Sequence, residues 1–292
     1  MKIYDMQLDP VLHHYALHLD ASPDYRVLRR LPRVEELWMR SSPNGPDITL
    51  GIIDTETSGL GPDAKIIEIA VRRMELVDGQ LADLSPPISM LEDPGEPLSP
   101  QITRITGLTD EDLAGQRFNE ELLAHSLGKC DALVAFNARF DAGHLRRRFP
   151  GIRHPWICAQ RDYDWSANGH QGRGQQGLVE EMGWFYPPHR AAADIEALAI
   201  MIAMHAKDGR AIAAHMIERA QRTDARIAAR DAPFAVKDLL KARNYRWNAE
   251  RRIWTIDCDA ADVDAEIAAL ARISPMIRPG MTEIDWYNRH VS

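Results

Sequence analysis

No apolar run in this chain approaches the ~20 residues that carry a helix across a bilayer, so no membrane partner is expected. The opening stretch, MKIYDMQLDPVLHHYALHLD, sets His and Asp among its apolar positions. That is not a signal-peptide pattern, and a cytoplasmic location is the expectation. Cysteine is scarce: Cys130, Cys158 and Cys258 stand far apart without CxxC spacing. A zinc ribbon or a disulfide framework is thereby disfavoured, and each thiol reads as a small apolar residue. A P-loop is missing too. GHQGRGQQG (169–177) lacks GK[ST] and follows no strong strand, so it reads as a flexible loop with Arg173 as a candidate phosphate contact. Net positive charge is absent, since 35 Lys and Arg face 43 Asp and Glu for a balance of −8. That is not the total of a nucleic-acid binder, but local patches do the steering. Basic clusters stand at 26–33, 146–148 and 241–252.

What is present suffices for a folded core. The 292 residues are 45% apolar and 7% aromatic, which fits a soluble globular chain with one sizeable domain and a small one. Residues 1–47 read as a helical extension, with Val11, Leu12, Tyr15, Ala16 and Leu19 at helical spacing. ITLGIID (48–54) suits a strand buried on both faces. In 65–75, Ile67, Ile69 and Val71 alternate with Glu68 and Arg72, which predicts a second strand with one polar face. Asp78–Gly79 reads as a hairpin turn into a third strand over 80–91, weakened by Pro86 and Pro87. Helical patterns follow at 100–105 and 118–127, a fourth strand at 130–136 and a helix at 138–149 with Asn137 as N-cap. A fifth strand at 156–159 and helices near 175–182 and 190–206 complete a domain over 48–207. The expected architecture is α/β, a mixed five-stranded sheet with helices on both faces. Residues 208–292 read as a connector followed by strand, helix, hairpin and helix, a small α+β domain with little signal beyond 275.

The chemistry gathers at carboxylates. In GIIDTETSGL (51–60), Asp54 and Glu56 are two apart on a strand and leave the same face. Side by side they repel, and a hard divalent cation such as Mg²⁺ or Mn²⁺ removes the conflict. Two solvated acids at a strand end is the competing reading. Asp141 falls in the first turn of its helix, where backbone amides favour negative charge. In HRAAADIEALA (189–199), His189 and Asp194 are five apart and would point roughly 140° apart on one helix. They converge only if His189 lies in the loop and Asp194 in the first turn, which Pro187–Pro188 permits.

In that order and at those separations, DTETSGL, ITRITGLTDEDL, NARFDAGHL and HRAAAD resemble the exonuclease motifs of the DnaQ-like superfamily. The version is the DEDDh branch, which includes the proofreading epsilon subunit of bacterial DNA polymerase III and RNase T. Ser58 stands where relatives often carry Thr. The resemblance covers about 48–207 and implies an RNase H-like fold and a metal-dependent 3′–5′ exonuclease. It implies that Asp54 bridges two divalent cations, Mg²⁺ or Mn²⁺, that Glu56 and Asp194 complete the shell of the first, and that Asp141 holds the second. His189 would be the general base. Thr57, Leu60, Ile105, Thr106, Gly107 and Leu108 would hold the terminal nucleotide, with Phe140 lining the base pocket. The implied partner is a nucleic acid with a free 3′ end, DNA favoured over RNA, and the products are nucleoside 5′-monophosphates. An exoribonuclease or oligoribonuclease is the alternative, and a non-catalytic binding module is a third reading.

The C-terminal stretch APFAVKDLLKARNYRWNAERRIWTI is similar to small modules appended to some bacterial DnaQ-like exonucleases and resembles the HARP domain of annealing helicases. That implies nucleic-acid contact through Arg246, Arg251 and Arg252. Trp247 and Trp254 read equally as the core of a small domain.

Overall fold

Pro10 opens the first helix behind Asp9, whose carboxylate accepts the amides of Val11 and Leu12 at 2.9 and 3.0 Å. The computed structural model describes residues 9–33, 37, 45–61, 63–172, 174–249 and 251–290. Two compact units divide the chain between Arg219 and Ala220.

The first unit runs α1 (Pro10–Asp20), β1 (Arg29–Arg30), β2 (Ile48–Thr57), β3 (Ile66–Val77), β4 (Gln80–Leu84), β5 (Ile88–Leu91), α2 (Pro100–Thr106), α3 (Asp110–Leu113) and α4 (Glu120–Leu127). It continues with β6 (Ala132–Ala135), α5 (Ala138–Arg148), β7 (Trp156–Cys158), α6 (Gln175–Glu181), β8 (Trp184–Phe185), α7 (Ala191–Ala203) and α8 (Ile212–Gln221), the last reaching the division. The main sheet is mixed, in the order β4-β3-β2-β6-β7, with β5 also on β3. β2 pairs antiparallel with β3 and parallel with β6.

The sheet has six strands rather than the expected five. Pro86 and Pro87 offer no ladder amide, so the third strand breaks into β4 and β5, each pairing a different part of β3. Asp78 and Gly79 take φ of 50° and 69°, the left-handed pair a two-residue hairpin needs between β3 and β4. The polar face expected for β3 is not solvated: Glu68 and Arg72 are both buried. Helices cover both sheet faces, so these charges are paired internally. Arg72 binds Glu196 of α7 and gives its Nε to the Ser85 carbonyl at 2.8 Å. On the opposite face, Ile53, Ile69 and Val71 pack with Leu133, Leu145, Phe149 and Trp156. Asn137 precedes α5 but makes no side-chain cap hydrogen bond. α1 buries none of its residues. Among the described residues no helix is long and apolar enough to cross a membrane.

The second unit holds β9 (Asp224–Arg230), α9 (Lys237–Ala242), β10 (Arg246–Asn248), β11 (Ile253–Asp259), α10 (Val263–Ile273) and β12 (Arg278–Ile284). Its sheet is antiparallel in the order β10-β11-β9-β12. β12 was not legible in RPGMTEI, where Pro and Gly interrupt the β pattern; it is an edge strand, the one place that tolerates them. Ile227, Ala229, Leu240, Tyr245, Leu270 and Ile277 form the core.

Candidate active site

β2 loses its register against β3 just after Glu56, and the two acids leave the strand immediately before that irregularity. Asp54 lies opposite Ala70, and Glu56 opposite Glu68. All three carboxylates therefore share one sheet face. α7 covers the same face, since Glu68 accepts the amide of Ala191, the first residue of α7, at 3.2 Å.

α7 brings the fourth acid. Asp194 sits in its first turn and His189 in the loop before it. His189 takes φ of 68°, uncommon for a residue with a side chain, and such a conformation persists only when its surroundings hold it. Here its amide donates to Asp194 Oδ2 at 2.8 Å. Arg190 gives two guanidinium nitrogens to the fully buried Glu68 at 3.0 and 3.2 Å. His189 and Asp194 thus converge by the loop-and-first-turn arrangement their spacing required. α5 supplies Asp141 from the other side of the sheet. Its Oδ1 accepts the amide of Thr55 at 3.0 Å and the Thr55 hydroxyl at 2.8 Å.

One pocket of about 690 Å³ collects these side chains. Asp54, Glu56, Asp141, Asp194 and His189 all line it, with Thr57, Leu60, Ile105, Thr106 and Phe140. Gly107 and Leu108 do not. Leu108 is buried with Ile67, Ile102 and Leu113, so the core claims it. Gly107, at φ 73°, is the left-handed cap that ends α2, a position its missing Cβ makes easy. Thr106 donates its hydroxyl to the Ile102 carbonyl and accepts the Leu108 amide, which fixes it as part of that cap. Leu60 and Ile105 are exposed at the pocket mouth.

Three carboxylate oxygens, one each from Asp54, Glu56 and Asp194, lie within 4.8 Å of one another. Burial, then the neighbouring acids, holds the Asp54 carboxyl well above the usual range. Glu56 is pushed up to about 8 by burial and by Asp194 and Glu68. Burial lifts Asp141 to about 7 against the hydrogen bonds from Thr55. Asp194 is raised by burial and partly relieved by Tyr186. Among the described residues, no Lys or Arg lines the pocket, and Asp54 and Glu56 accept no hydrogen bond. Hard oxygen donors, crowded and desolvated, with Arg190 relieving Glu56 only in part, fit a divalent metal of the Mg²⁺ or Mn²⁺ kind.

Sequence reading missed three supports of the site. Tyr186 donates its hydroxyl to Asp194 Oδ1 at 2.8 Å. The buried Gln175 gives its amide to Asp194 Oδ1 at 3.2 Å and to the Asp194 carbonyl at 2.8 Å. Gln175 lies within the Gly-rich stretch 169–177 read as a flexible loop, yet it opens α6, and a Cβ on Gly172 would stand 2.8 Å from the Leu178 amide nitrogen. The missing Cβ of Gly172 lets that backbone pack closely against α6, the helix that carries Gln175. Arg173 lies outside the described residues. Glu68, the third support, stood in the sequence only as one of the polar residues alternating along 65–75. The only signal for it was an acid on a strand beside a second acidic strand.

In the second unit, Arg246, Arg251 and Arg252 are exposed. Trp247 is half exposed, its ring 5.4 Å from that of Trp254, which packs on the core.

Escherichia coli (strain K12) exodeoxyribonuclease 10 is 37% identical over 112 residues, 38% of this chain and 46% of that protein. The PolC-type DNA polymerase III of Thermotoga petrophila is 35% identical over 120 residues, 40% of this chain and 8% of that protein. The chain thus spans less than half the length of the curated relatives it matches. Exonuclease X, solved in complex with 5′ overhanging duplex DNA, aligns with 56% of this chain and 99% of its own, at 28% identity and a TM-score of 0.41. E. coli Exonuclease I, solved with a 5cy-dA13 oligonucleotide, covers 63% of this chain and 48% of its own, at 17% identity and a TM-score of 0.45. The RNase_T exonuclease model matches residues 52–202, just over half of the sequence and a span holding all four pocket carboxylates and His189, so the chain belongs to that exonuclease family.

Proposed function

We propose that the chain is a metal-dependent 3′–5′ exonuclease that trims single-stranded or frayed DNA ends and releases nucleoside 5′-monophosphates. The observation that carries this is the convergence of Asp54, Glu56 and Asp194 on one point in a pocket that also holds Asp141 and His189. Those four acids would hold two divalent cations, which supply charge to the scissile phosphate and to the leaving 3′ oxygen. Tyr186, Gln175 and the His189 amide keep Asp194 aimed. His189 accepts the proton of the attacking water at an imidazole nitrogen. Leu60, Ile105 and Phe140 give the terminal nucleotide apolar walls without reading its sequence. DNA is preferred because the relative matched at 37% identity is named an exodeoxyribonuclease. End-labelled DNA and RNA strands, single and paired, incubated with Mg²⁺ or Mn²⁺ test the reading. Mononucleotides released from the DNA 3′ end are expected; equal cleavage in excess chelator would defeat it.

Glu68 acts here through His189, by fixing Arg190 and the start of α7. Glu68→Gln at saturating Mg²⁺ is expected to lower kcat about tenfold with KM little changed, while His189→Ala lowers it by roughly 10²–10⁴. If folded Glu68→Gln turns over like the parent while His189→Ala does not, Glu68 has only a structural part.

A further inference from the structure

In the sheet of the second unit α9 and α10 cover one face, and the other carries Arg289 against Asp224 at one end, where Asp224 and Ile284 are buried. Ile227, Ala229, Trp254, Ile256 and Cys258 point to the side where α9 and α10 add Leu240 and Leu270. Side chains alternate along a strand, so Asp224, Arg226, Ala228 and Arg230 of β9 and Ile253, Thr255, Asp257 and Asp259 of β11 occupy the other face. Cross-strand pairing adds Arg246 from β10 and Arg278, Gly280 and Thr282 from β12.

Away from its Asp224 end this face is cationic and low in the middle. Arg226 is neutralised by Asp257 at 2.6 and 2.9 Å. Arg246 and Arg230 make no ion pair among the described residues, and the exposed Arg278 reaches only Asp231, at 3.7 Å. Arg230 and Arg278 are direct cross-strand partners. Like charges in that position repel, and an anion between them reverses the sign. The row joining Arg246 to β12 runs Arg246, Thr255, Ala228, Gly280, with no bulky side chain after the arginine. At its far end the Arg230 side chain lies over Gly280, where a Cβ would stand 2.8 Å from its Nε. Glycine therefore lets a guanidinium lie flat on the sheet. Three strand spacings separate Arg246 from β12, roughly 14 Å, enough to meet successive phosphates.

We propose that this open face seats the sugar–phosphate backbone of a single-stranded nucleic acid. The choice of occupant rests on the exonuclease reading, and charge complementarity carries it: among the described residues Arg230 and Arg246 have no acid partner, and the apolar side chains of this half of the face are Ala228 and Ile253. The seat reads no sequence. It involves Arg230 and Arg278, beyond the hairpin arginines singled out in the sequence.

The test is binding of a labelled oligothymidylate of about twenty nucleotides to the full chain in chelator, by fluorescence anisotropy across a salt series. The variant Arg230→Gln/Arg246→Gln/Arg278→Gln is expected to bind about tenfold or more weakly at low salt. Its plot of log affinity against log salt is expected to be shallower by about 2, given a slope of ~0.7 per single-strand phosphate contact. Arg246→Gln alone, on an exposed edge strand, removes about 0.7 from the slope and serves if the triple variant does not fold. Parental affinity and slope in folded variants overturn the proposal and leave the face to an acidic protein. Cleavage is scored separately with Mg²⁺. A parent that binds but never cleaves defeats the exonuclease reading while the slope loss still supports the seat; cleavage with unaltered slopes defeats the seat alone.

Discussion

Asp54→Asn is expected to reduce cleavage of an end-labelled strand by about three orders of magnitude or more, and to raise the melting temperature of the cation-free protein. Both effects come from one carboxylate. Asp54 stands at the centre of the acidic cluster, with Asp141, Asp194, Glu56 and Glu68 all pushing its pKa upward. In the cation-loaded site its charge would hold metal, and losing it removes several kcal/mol of transition-state stabilisation, each ~1.4 kcal/mol being a factor of ten. Without cation the same charge is a liability. It is desolvated, faces like charges and accepts no hydrogen bond among the described residues. Asn keeps the shape and removes the repulsion. Divalent cation should therefore stabilise the parent strongly and the variant weakly. Thermal denaturation of both proteins, with Mg²⁺ and with chelator, checks this. A variant that melts below the parent in chelator would show that Asp54 has a stabilising partner and that the cluster is not waiting for a cation.

The fold was legible where periodicity and breakers agreed. Short apolar strands, the Asp78–Gly79 turn and the Pro187–Pro188 stop all gave elements close to those in the structure. Site residues were legible because Asp54, Glu56, Asp141, His189 and Asp194 sit in compact motifs. What escaped was held by tertiary structure. Glu68 and Arg72 look like the polar face of a half-buried strand, and only the docking of α7 turns that face into an interior. Gln175 and Tyr186 reach Asp194 from a stretch where the sequence shows a helix near 175–182 but not which side chains the docking of α7 turns toward Asp194. Leu108 fits the motif that holds a nucleotide, yet packing on Ile67 and Leu113 decides its place. β12 is hidden by Pro279 and Gly280, residues that suit an edge strand and, for Gly280, the close approach of Arg230.

The stability of the first unit should fall with rising pH in chelator and hardly change in Mg²⁺. Acids whose folded pKa lies above the unfolded value bind protons more tightly when folded, so unfolding releases them. Their contribution is complete below the unfolded values near 4 and is lost as pH rises through the folded ones. For Asp141 and Glu56 those stand at about 7 and about 8, so the loss runs from about pH 4 to about pH 8, and pH 6 to 8 is its upper part. Asp54 and Asp194 are raised by the same burial and act in the same direction. Between pH 6 and 8 Asp141 and Glu56 together lose about 4 kcal/mol, so the cation-free melting temperature is expected to drop by roughly 8–16 °C, since 1 kcal/mol shifts a domain of this size by about 2–4 °C. A divalent cation competes with protons for the same oxygens, so its stabilising effect should grow as the pH rises. Scans at several pH values, with and without Mg²⁺, measure this directly. A cation effect as large at pH 6 as at pH 9 would mean that the four carboxylates are ionised throughout, and that burial does not raise them as the pocket geometry requires.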